Sequence, residues 1–233
     1  MKFNHSLKYD VESIIETIKK EQSLKLNLQP IQDTKNNCIF GYEVLSRWEL
    51  DNAKRADLPF KLQDIIALSI LFEEMQNYPE GKLFINCSLS NIEYFVALFE
   101  NTKINREIII ELDFGLELFE ITNILKHLTT LTSHENVSLA IDDIGKYSMD
   151  PKLINLLKPE YLKVDICIGL GIADSLEKQK QLEAITIIAQ CIGATIIVEG
   201  IERELDAIYL KNKNYTLIQG FFYHKPQPWQ TYL

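Results

Sequence analysis

Short runs of hydrophobic residues, rich in β-branched side chains, alternate along the chain with longer amphipathic stretches. Eight of these runs predict β-strands, at residues 24–31, 38–47, 82–88, 106–112, 137–143, 161–165, 194–200 and 216–220. Most are almost continuously apolar, as is typical of parallel strands that are covered on both faces. The first two strands are joined only by DTKNN (33–37), which is too short for a helical crossover. We therefore predict that this pair is antiparallel.

The stretches between the strands have the spacing and the end signals of helices. Helices are predicted near residues 8–20, 63–77, 90–100, 116–130 and 203–212. Asp150 and Pro151 form a helix start, with Pro at the first helical position. Asp174 and Glu177 have the spacing of a capping box, and Gly193 is placed to end the helix that follows.

Repeated succession of strand and helix predicts an α/β fold. Eight strands favour a TIM-like (β/α)8 barrel with an antiparallel first strand, and a doubly wound open sheet is the alternative. Because no low-complexity linker divides the chain, we assign residues 1–22 to an N-terminal helical segment and residues 23–233 to one barrel domain.

The composition is that of an acidic globular protein, since 46% of the 233 residues are hydrophobic and 24% are charged. The net charge of −9 argues against polymeric nucleic acid or a membrane as partner, because such binding depends on Lys and Arg contacts to phosphates. No secretory signal is visible at the N-terminus, and the most apolar stretch, 184–198, is too short to span a bilayer. We expect a cytoplasmic protein whose four cysteines, none in a CxxC pair, are buried reduced thiols.

Acidic, amide and basic side chains lie where the predicted strands end. They are Asn86, Glu111, Asp142, Asp143, Lys163, Asp165, Glu199 and Gln219, and Glu43, Leu45 and Arg47 share one face of the second strand. In a barrel the C-terminal strand ends meet at one rim, where active sites are built. Any single acid could simply cap a helix, but converging carboxylates repel one another unless cations neutralise them. Oxygen ligands of this kind suit Mg²⁺ or Mn²⁺, and two such ions about 3.5–4 Å apart are suited to in-line displacement at phosphorus.

The motifs that contain these residues resemble, in order, those of the EAL domain, the cyclic di-GMP phosphodiesterase module of bacterial signalling. They are QPI (29–31), GYEVLSRW (41–48), FINCS (84–88), IIEL (109–112), AIDDIG (140–145), LKVD (162–165), VEGIE (198–202) and QGFF (219–222). Any one of them is a weak signal, but eight in order, each in or at the end of a predicted strand, are specific. The resemblance covers Leu24 to Pro226 and implies a stand-alone EAL domain.

The resemblance also implies a role for each residue of the rim. Glu43, Asn86, Glu111 and Asp142 match the ligands of a first metal ion, and Asp142, Asp143 and Glu199 match those of a second. Lys163 matches the lysine that contacts the attacking water, so Lys163 and Glu199 are the implied catalytic residues. The implied substrate-binding residues are Gln29, Leu45, Arg47, Asp165 and Gln219. The implied reaction converts cyclic di-GMP to linear pGpG with two Mg²⁺ or Mn²⁺ ions per site, and a homodimer is left open.

Two departures from the family pattern keep other functions open. Phe114 stands where the family has the second Glu of its ExxE motif, and DDIGKYS (142–148) replaces the longer DDFGTGYS. They favour the alternative of a catalytically impaired EAL-like protein that acts as a cyclic di-GMP receptor or a protein-docking module. A third hypothesis, independent of the resemblance, is an enolase-like barrel in which Lys163 abstracts a proton beside Mg²⁺. The paired aspartates argue against it, since they suit two adjacent metals.

Overall fold

A closed barrel of eight strands forms the centre of the protein, in a computed structural model that describes residues 11–49, 58–113, 118–146 and 151–233. The strands are β1 (Leu24–Asp33), β2 (Cys38–Trp48), β3 (Lys82–Asn86), β4 (Ile108–Asp113), β5 (Val137–Ile144), β6 (Tyr161–Val164), β7 (Thr195–Val198) and β8 (Leu217–Ile218). Neighbours from β2 to β8 pair in chain order, and β1 pairs with both β8 and β2, which closes the barrel. A short strand β9 (Gln227–Pro228) adds to β1. The predicted TIM-like barrel is confirmed.

The first strand runs against its neighbours, as the short link after it predicts. β1 pairs antiparallel with β2 and with β8, whereas the pairs from β2 to β8 are parallel. The connecting turn is held by Asp33, whose Oδ1 accepts hydrogen bonds from the backbone N–H of Lys35 at 2.9 Å and of Asn36 at 3.0 Å. An Asp that satisfies the N–H groups after it stabilises a tight turn, so the chain reverses directly into β2.

Helices surround the barrel and cover the outward faces of its strands. They are α1 (Val11–Glu21), α2 (Phe60–Glu74), α3 (Ile92–Asn101), α4 (Leu118–Thr132), α5 (Pro151–Leu157), α6 (Ile166–Gly169), α7 (Leu176–Ile192) and α8 (Glu204–Asn212). Short 3₁₀ turns lie at Met75–Asn77, Leu89–Asn91, Ile172–Asp174 and Trp229–Tyr232. Among the described residues, no helix is both long enough and apolar enough to cross a membrane. The predicted cap at Asp150 lies outside the described residues.

The predicted cap of α7 is wrong by one residue. The cap is Ser175, whose hydroxyl accepts a hydrogen bond from the backbone N–H of Lys178, and Asp174 forms an ion pair with Arg203 instead. Asp174 therefore links the start of α7 to Arg203, the residue directly before α8, and does not cap α7. The end of α7 is as predicted, since Gly193 has a φ of 76°, in the left-handed region that favours glycine.

The four cysteines are free thiols, as expected, but the prediction that all are buried is wrong. Cys87 is buried, whereas Cys38, Cys167 and Cys191 are exposed. Cys38 is the first residue of β2 and Cys191 lies in the last turn of α7. Apolar neighbours in the sequence therefore do not predict a buried thiol, since Ile39 beside Cys38 and Ile166 beside Cys167 are themselves exposed.

The interior of the barrel consists of two layers. An apolar layer is formed by Ile31, Phe84, Ile109, Ala140, Tyr161, Ile197 and Leu217, one residue from each of seven strands. On β2 the matching position is Gly41, where a Cβ would lie 3.1 Å from the ring of Phe84. Because side chains of a strand alternate between its faces, the residue two positions closer to the C-terminal rim of the barrel also points inward. These residues form a polar layer of Gln29, Glu43, Asn86, Glu111, Asp142, Lys163, Glu199 and Gln219.

Candidate active site

The polar layer is centred on the ammonium group of Lys163, whose side chain is only 1% exposed. Its Nζ lies 2.6 Å from an oxygen of Glu111 and 2.7 Å from an oxygen of Glu199. Oxygens of Asp142 and Glu43 lie at 3.4 Å and 3.5 Å. The four carboxylates come from β2, β4, β5 and the end of β7, so the closure of the barrel assembles residues that are far apart in the sequence.

Burial and charge raise the pKa values of three acids and of the lysine in this cluster. These acids are therefore more easily protonated, and the lysine stays charged. Burial raises the pKa of Glu111 and of Asp142, although the ammonium of Lys163 opposes the shift. The same cause raises the pKa of Glu199 to about 8. Burial alone would lower the pKa of Lys163, but the carboxylates of Glu111 and Glu199 outweigh it and raise that pKa. The lysine therefore keeps its proton, and one positive charge faces four acids.

Amide side chains hold Glu43 on both of its oxygens. Gln219 donates from Nε2 to one oxygen at 2.6 Å, and Asn86 donates from Nδ2 to the other at 3.3 Å. Gln29 lies opposite Glu43 in the register of β1 and β2, and its Nε2 donates to the backbone carbonyl of His224 at 3.3 Å. The sequence motifs did not indicate His224, because its contribution is a backbone oxygen and no residue type identifies it.

Asp143 and Asp165 lie outside this cluster. The carboxylate of Asp143 pairs with Nζ of Lys146 at 2.7 Å, and its own φ of 56° turns the chain at the end of β5. Asp165 accepts a hydrogen bond from the backbone N–H of Cys167 at 2.8 Å and caps α6. Burial would raise the pKa of Asp165, but that hydrogen bond lowers it overall. A metal-binding Asp143 and a substrate-binding Asp165 remain predictions.

Leu45 and Arg47 continue from Glu43 along the same face of β2. Leu45 is half-buried and Arg47 is exposed. Within the part of the chain that the structure describes, Arg47 forms no ion pair. Among these described residues, its guanidinium thus has no carboxylate partner at the rim where a ligand would enter. Phe114, one of the two departures from the family pattern, lies outside the described residues.

The donors of the polar layer suit a hard divalent cation in their chemistry. Four carboxylates and the amide of Asn86 provide oxygen ligands, and the acids outnumber the single ammonium. In the described ranges, however, no three acidic, His or Cys side chains converge in the geometry of a bound ion. The oxygens of the four acids instead surround the ammonium of Lys163, at 2.6–3.5 Å from its Nζ.

The stability of the metal-free protein should fall as the pH rises from about 4.5 to about 8. The pKa of Glu199 is raised from 4.5 to about 8, so its protonated form stabilises the fold fully below the lower value and this contribution is lost through the upper one. One pKa unit corresponds to about 1.36 kcal/mol, so the whole difference between 4.5 and about 8 sets an upper limit on the loss of stability. Because Glu199 is partly exposed and solvent screens its charge, we expect a smaller loss, on the order of 2 kcal/mol.

Urea unfolding in EDTA between pH 5 and pH 8.5 measures this loss. Glu199→Gln cannot ionise and should flatten the pH dependence, whereas Glu202→Gln, at an exposed neighbouring position, should leave it unchanged. If Glu199→Gln followed the same pH curve as the unmodified protein, Glu199 would not be the group that titrates.

A barrel with a polar layer at the C-terminal ends of its parallel strands defines the class of TIM-like α/β barrels. Within that class, the sequence matches the model of the EAL domain family over residues 12–226. The chain therefore belongs to the EAL domain family. This confirms the resemblance carried by the eight motifs.

Curated relatives are similar to this chain at low identity. The cyclic di-GMP phosphodiesterase TpdA of Vibrio parahaemolyticus is 24% identical over 207 residues, which cover 85% of this chain and 36% of TpdA. The uncharacterized EAL-domain containing protein YkuI of Bacillus subtilis is 26% identical over 218 residues, which cover 85% of this chain and 54% of YkuI. The chain therefore spans between about a third and about half of the lengths of these two relatives.

Solved structures share the fold. The PaMucR phosphodiesterase in its c-di-GMP complex has a TM-score of 0.74 at 19% identity, covering 97% of this chain and 100% of the other. A manganese and c-di-GMP complex of BlrP1 from Klebsiella pneumoniae has a TM-score of 0.74 at 21% identity, covering 88% of this chain and 56% of the other. At these identities the likeness shows the architecture, a TIM-like barrel of the EAL type.

Proposed function

We propose that this protein is a metal-dependent phosphodiesterase that hydrolyses cyclic di-GMP to linear pGpG in bacterial second-messenger signalling. The observation that supports this most is the convergence of four carboxylates on Lys163 at one rim of an EAL barrel. The relative TpdA is named a cyclic di-GMP phosphodiesterase, and the similar BlrP1 structure is a complex with manganese and c-di-GMP. These names support the substrate and the kind of metal ion.

The proposed cofactors are two Mg²⁺ or Mn²⁺ ions. Glu43, Asn86, Glu111 and Asp142 would hold the first ion, and Asp142, Asp143 and Glu199 the second. When bound, such ions activate a water molecule and neutralise negative charge on the phosphate. Asp143 pairs with Lys146 at 2.7 Å, so its participation requires that this ion pair open.

Lys163 is proposed to act as a positively charged hydrogen-bond donor. Its pKa is raised by the surrounding carboxylates, so it remains an ammonium at neutral pH and can orient a water molecule and stabilise developing negative charge. The same shift argues against the enolase-like hypothesis, because a lysine that abstracts a proton must first be neutral. Glu199, at 2.7 Å from Lys163, is the second proposed catalytic residue.

The decisive experiment is incubation with cyclic di-GMP after removal of bound metal, with products separated by chromatography. We expect no pGpG in EDTA and full recovery on addition of Mg²⁺ or Mn²⁺, because an oxygen-rich site holds such ions reversibly. Zn²⁺-free buffers exclude rescue by a contaminating ion. Turnover that persists after rigorous chelation would eliminate the two-metal reaction.

The same experiment separates the enzyme from the alternative functions. A protein that binds cyclic di-GMP with metal present but releases no pGpG is a receptor, which the altered loop DDIGKYS and Phe114 would explain. A protein that neither binds nor cleaves the nucleotide contradicts both the enzyme and the receptor hypotheses and leaves the protein-docking role. Calorimetry and product formation on one preparation distinguish the three outcomes.

Arg47→Gln should weaken binding of cyclic di-GMP by about 1.5–3 kcal/mol, the range for hydrogen bonds to a charged group. The guanidinium lies at the rim without an ion-pair partner among the described residues, so a substrate phosphate is its proposed partner. Titration calorimetry with metal present measures the change. Lys213→Gln, which removes an exposed positive charge at the end of α8, is the control. Equal affinities of the two variants would contradict the role of Arg47.

Gln29, Leu45, Asp165 and Gln219 complete the proposed substrate-binding set. Gln219 contacts Glu43 directly, and Gln29 is its neighbour across the strand pair. Leu45 lies between Glu43 and Arg47 on the same face of β2. The positions of Gln29, Leu45 and Gln219 around Glu43 support a binding surface that continues from the polar layer along β2, whereas Asp165 caps α6.

A further inference from the structure

A cavity of about 640 Å³ lies at the end of the barrel opposite the polar layer. Its wall is formed by the segment that follows α2, by Lys82 at the start of β3, by the segment that precedes β4 and by Phe40 of β2. Lys82 in this wall precedes Asn86 by four strand residues, which corresponds to about 13 Å. The apolar layer lies between the two. The volume falls within the range of about 300–1,000 Å³ that is usual for small-molecule sites.

The guanidinium of Arg106 in this wall has no acidic partner among the residues that the structure describes. Its Nη1 donates to the carbonyl of Met75 at 2.7 Å, and its Nη2 donates to the carbonyls of Pro79 at 2.6 Å and Gly81 at 2.8 Å. Its Nε is buried without a hydrogen-bond partner in the described ranges, where Arg106 also forms no ion pair. Burial lowers the pKa of this guanidinium. The positive charge is thus held at a cost that an anion would offset.

Three neighbouring side chains add a polar donor and apolar surface. Tyr78 lines the cavity, is 5% exposed, and its hydroxyl has no hydrogen-bond partner among the described residues. A buried donor without a partner is costly, so a ligand whose entry shifted this ring and brought an acceptor to the hydroxyl would remove that cost. Phe40 and Met75 contribute apolar wall. Phe40 also packs against the apolar layer, with its ring 5.8 Å from that of Tyr161.

Acidic residues are also present at this cavity but leave the positive charge of Arg106 unmatched. Glu107 forms an ion pair with Lys82, so these two charges neutralise each other. Glu80 and Lys103 are exposed residues of the wall and carry opposite charges. The charge that remains is the guanidinium, in a chain whose net charge is −9.

We propose that this cavity is a second binding site, for a small organic anion in which a phosphate or carboxylate group is attached to an apolar ring. The anionic group would face Arg106 and the hydroxyl of Tyr78, and the ring would lie against Phe40 and Met75. This proposal does not depend on the proposed phosphodiesterase activity, because the cavity and the polar layer share no residue.

Trp229 provides a reporter of occupancy, because it stacks on the ring of Tyr78 with centroids 5.3 Å apart. The chain has two tryptophans, and the other, Trp48, ends β2 at the opposite rim. In a Trp48→Phe background, the tryptophan fluorescence therefore reports on the neighbourhood of the cavity alone.

The test is a fluorescence titration of the Trp48→Phe protein with phenyl phosphate, in EDTA and without nucleotide. We expect a saturable change that benzyl alcohol, the neutral analogue, does not produce at the same concentration. Arg106→Gln should weaken the apparent affinity at least tenfold. Because Arg106 also donates hydrogen bonds to three carbonyls, its replacement could disturb the local structure. A second variant, Gln76→Phe, therefore leaves Arg106 intact and fills the cavity from an exposed position in its wall. This variant should also lose binding.

The control is Arg47→Gln in the same background, which should leave the titration unchanged because Arg47 belongs to the other rim. The proposal is overturned by the absence of a saturable change, by an equal response to benzyl alcohol, or by unaltered binding in both Arg106→Gln and Gln76→Phe. Loss of the response in Arg47→Gln would also overturn it, since the anion would then bind at the polar layer.

Discussion

Replacing Lys163 with methionine should abolish turnover of cyclic di-GMP and destabilise the metal-free protein at neutral pH. In the part of the chain that the structure describes, its ammonium is the cation that faces Glu43, Glu111, Asp142 and Glu199. Removing one member of a buried ion pair costs about 3–5 kcal/mol, because the remaining charges are left uncompensated. Urea unfolding in EDTA measures the stability, and product formation with Mn²⁺ measures the activity.

Two comparisons make this result specific. Lys19→Met removes the exposed ion pair with Glu73 and should cost less than about 1 kcal/mol without affecting turnover. Adding Mn²⁺ should restore more stability to Lys163→Met than to the unmodified protein, because a bound cation replaces the missing charge. An Lys163→Met protein that is as stable and as active as Lys19→Met would show that the ammonium neither holds the polar layer together nor takes part in the reaction.

Asp142→Asn and Glu43→Gln should each lower turnover about 10³-fold, because a metal ion contributes several kcal/mol to stabilising the transition state and each factor of ten corresponds to about 1.4 kcal/mol. Asp142 is the residue proposed to contact both ions. The metal-free fold should remain intact and could gain stability, since each change removes one of four acids that share a single ammonium.

The matched control is Glu107→Gln, which makes the same change of carboxylate to amide at the opposite end of the barrel, where Glu107 pairs with Lys82. It should retain full activity. Single-turnover rates at saturating Mn²⁺ and thermal unfolding in EDTA give the two readouts. Unfolded Asp142→Asn and Glu43→Gln proteins would instead assign these acids a structural role.

The strands and the polar layer could be predicted from the sequence because both depend on a local rule. Alternation with period two places Glu111 two residues after Ile109, and Lys163 two residues after Tyr161, on the inward face. The eight apolar runs therefore predict the barrel and the residues of its rim together. The antiparallel first strand follows from the length of one link.

The contacts within the site could not be predicted, because they depend on how the barrel closes. Gln219 donates to Glu43 across 176 positions of sequence, and no local pattern specifies that β8 and β2 both lie beside β1. The direction of Asp143 depends on its positive φ and on Lys146. Likewise, Asp174 is a residue type that often caps helices, but its carboxylate pairs with Arg203, which lies 29 positions later in the sequence.

The reversed direction of β1 determines where the preceding polypeptide joins the barrel. Leu24, the first residue of β1, pairs with Trp48, the last residue of β2, and the backbone N–H of Glu49 donates to the carbonyl of Ser23 at 2.8 Å. In an all-parallel barrel the chain would enter from the far side. Here α1 joins the barrel at the rim that carries the carboxylates, and only five positions of β1 separate Leu24 from Gln29, the neighbour of Glu43.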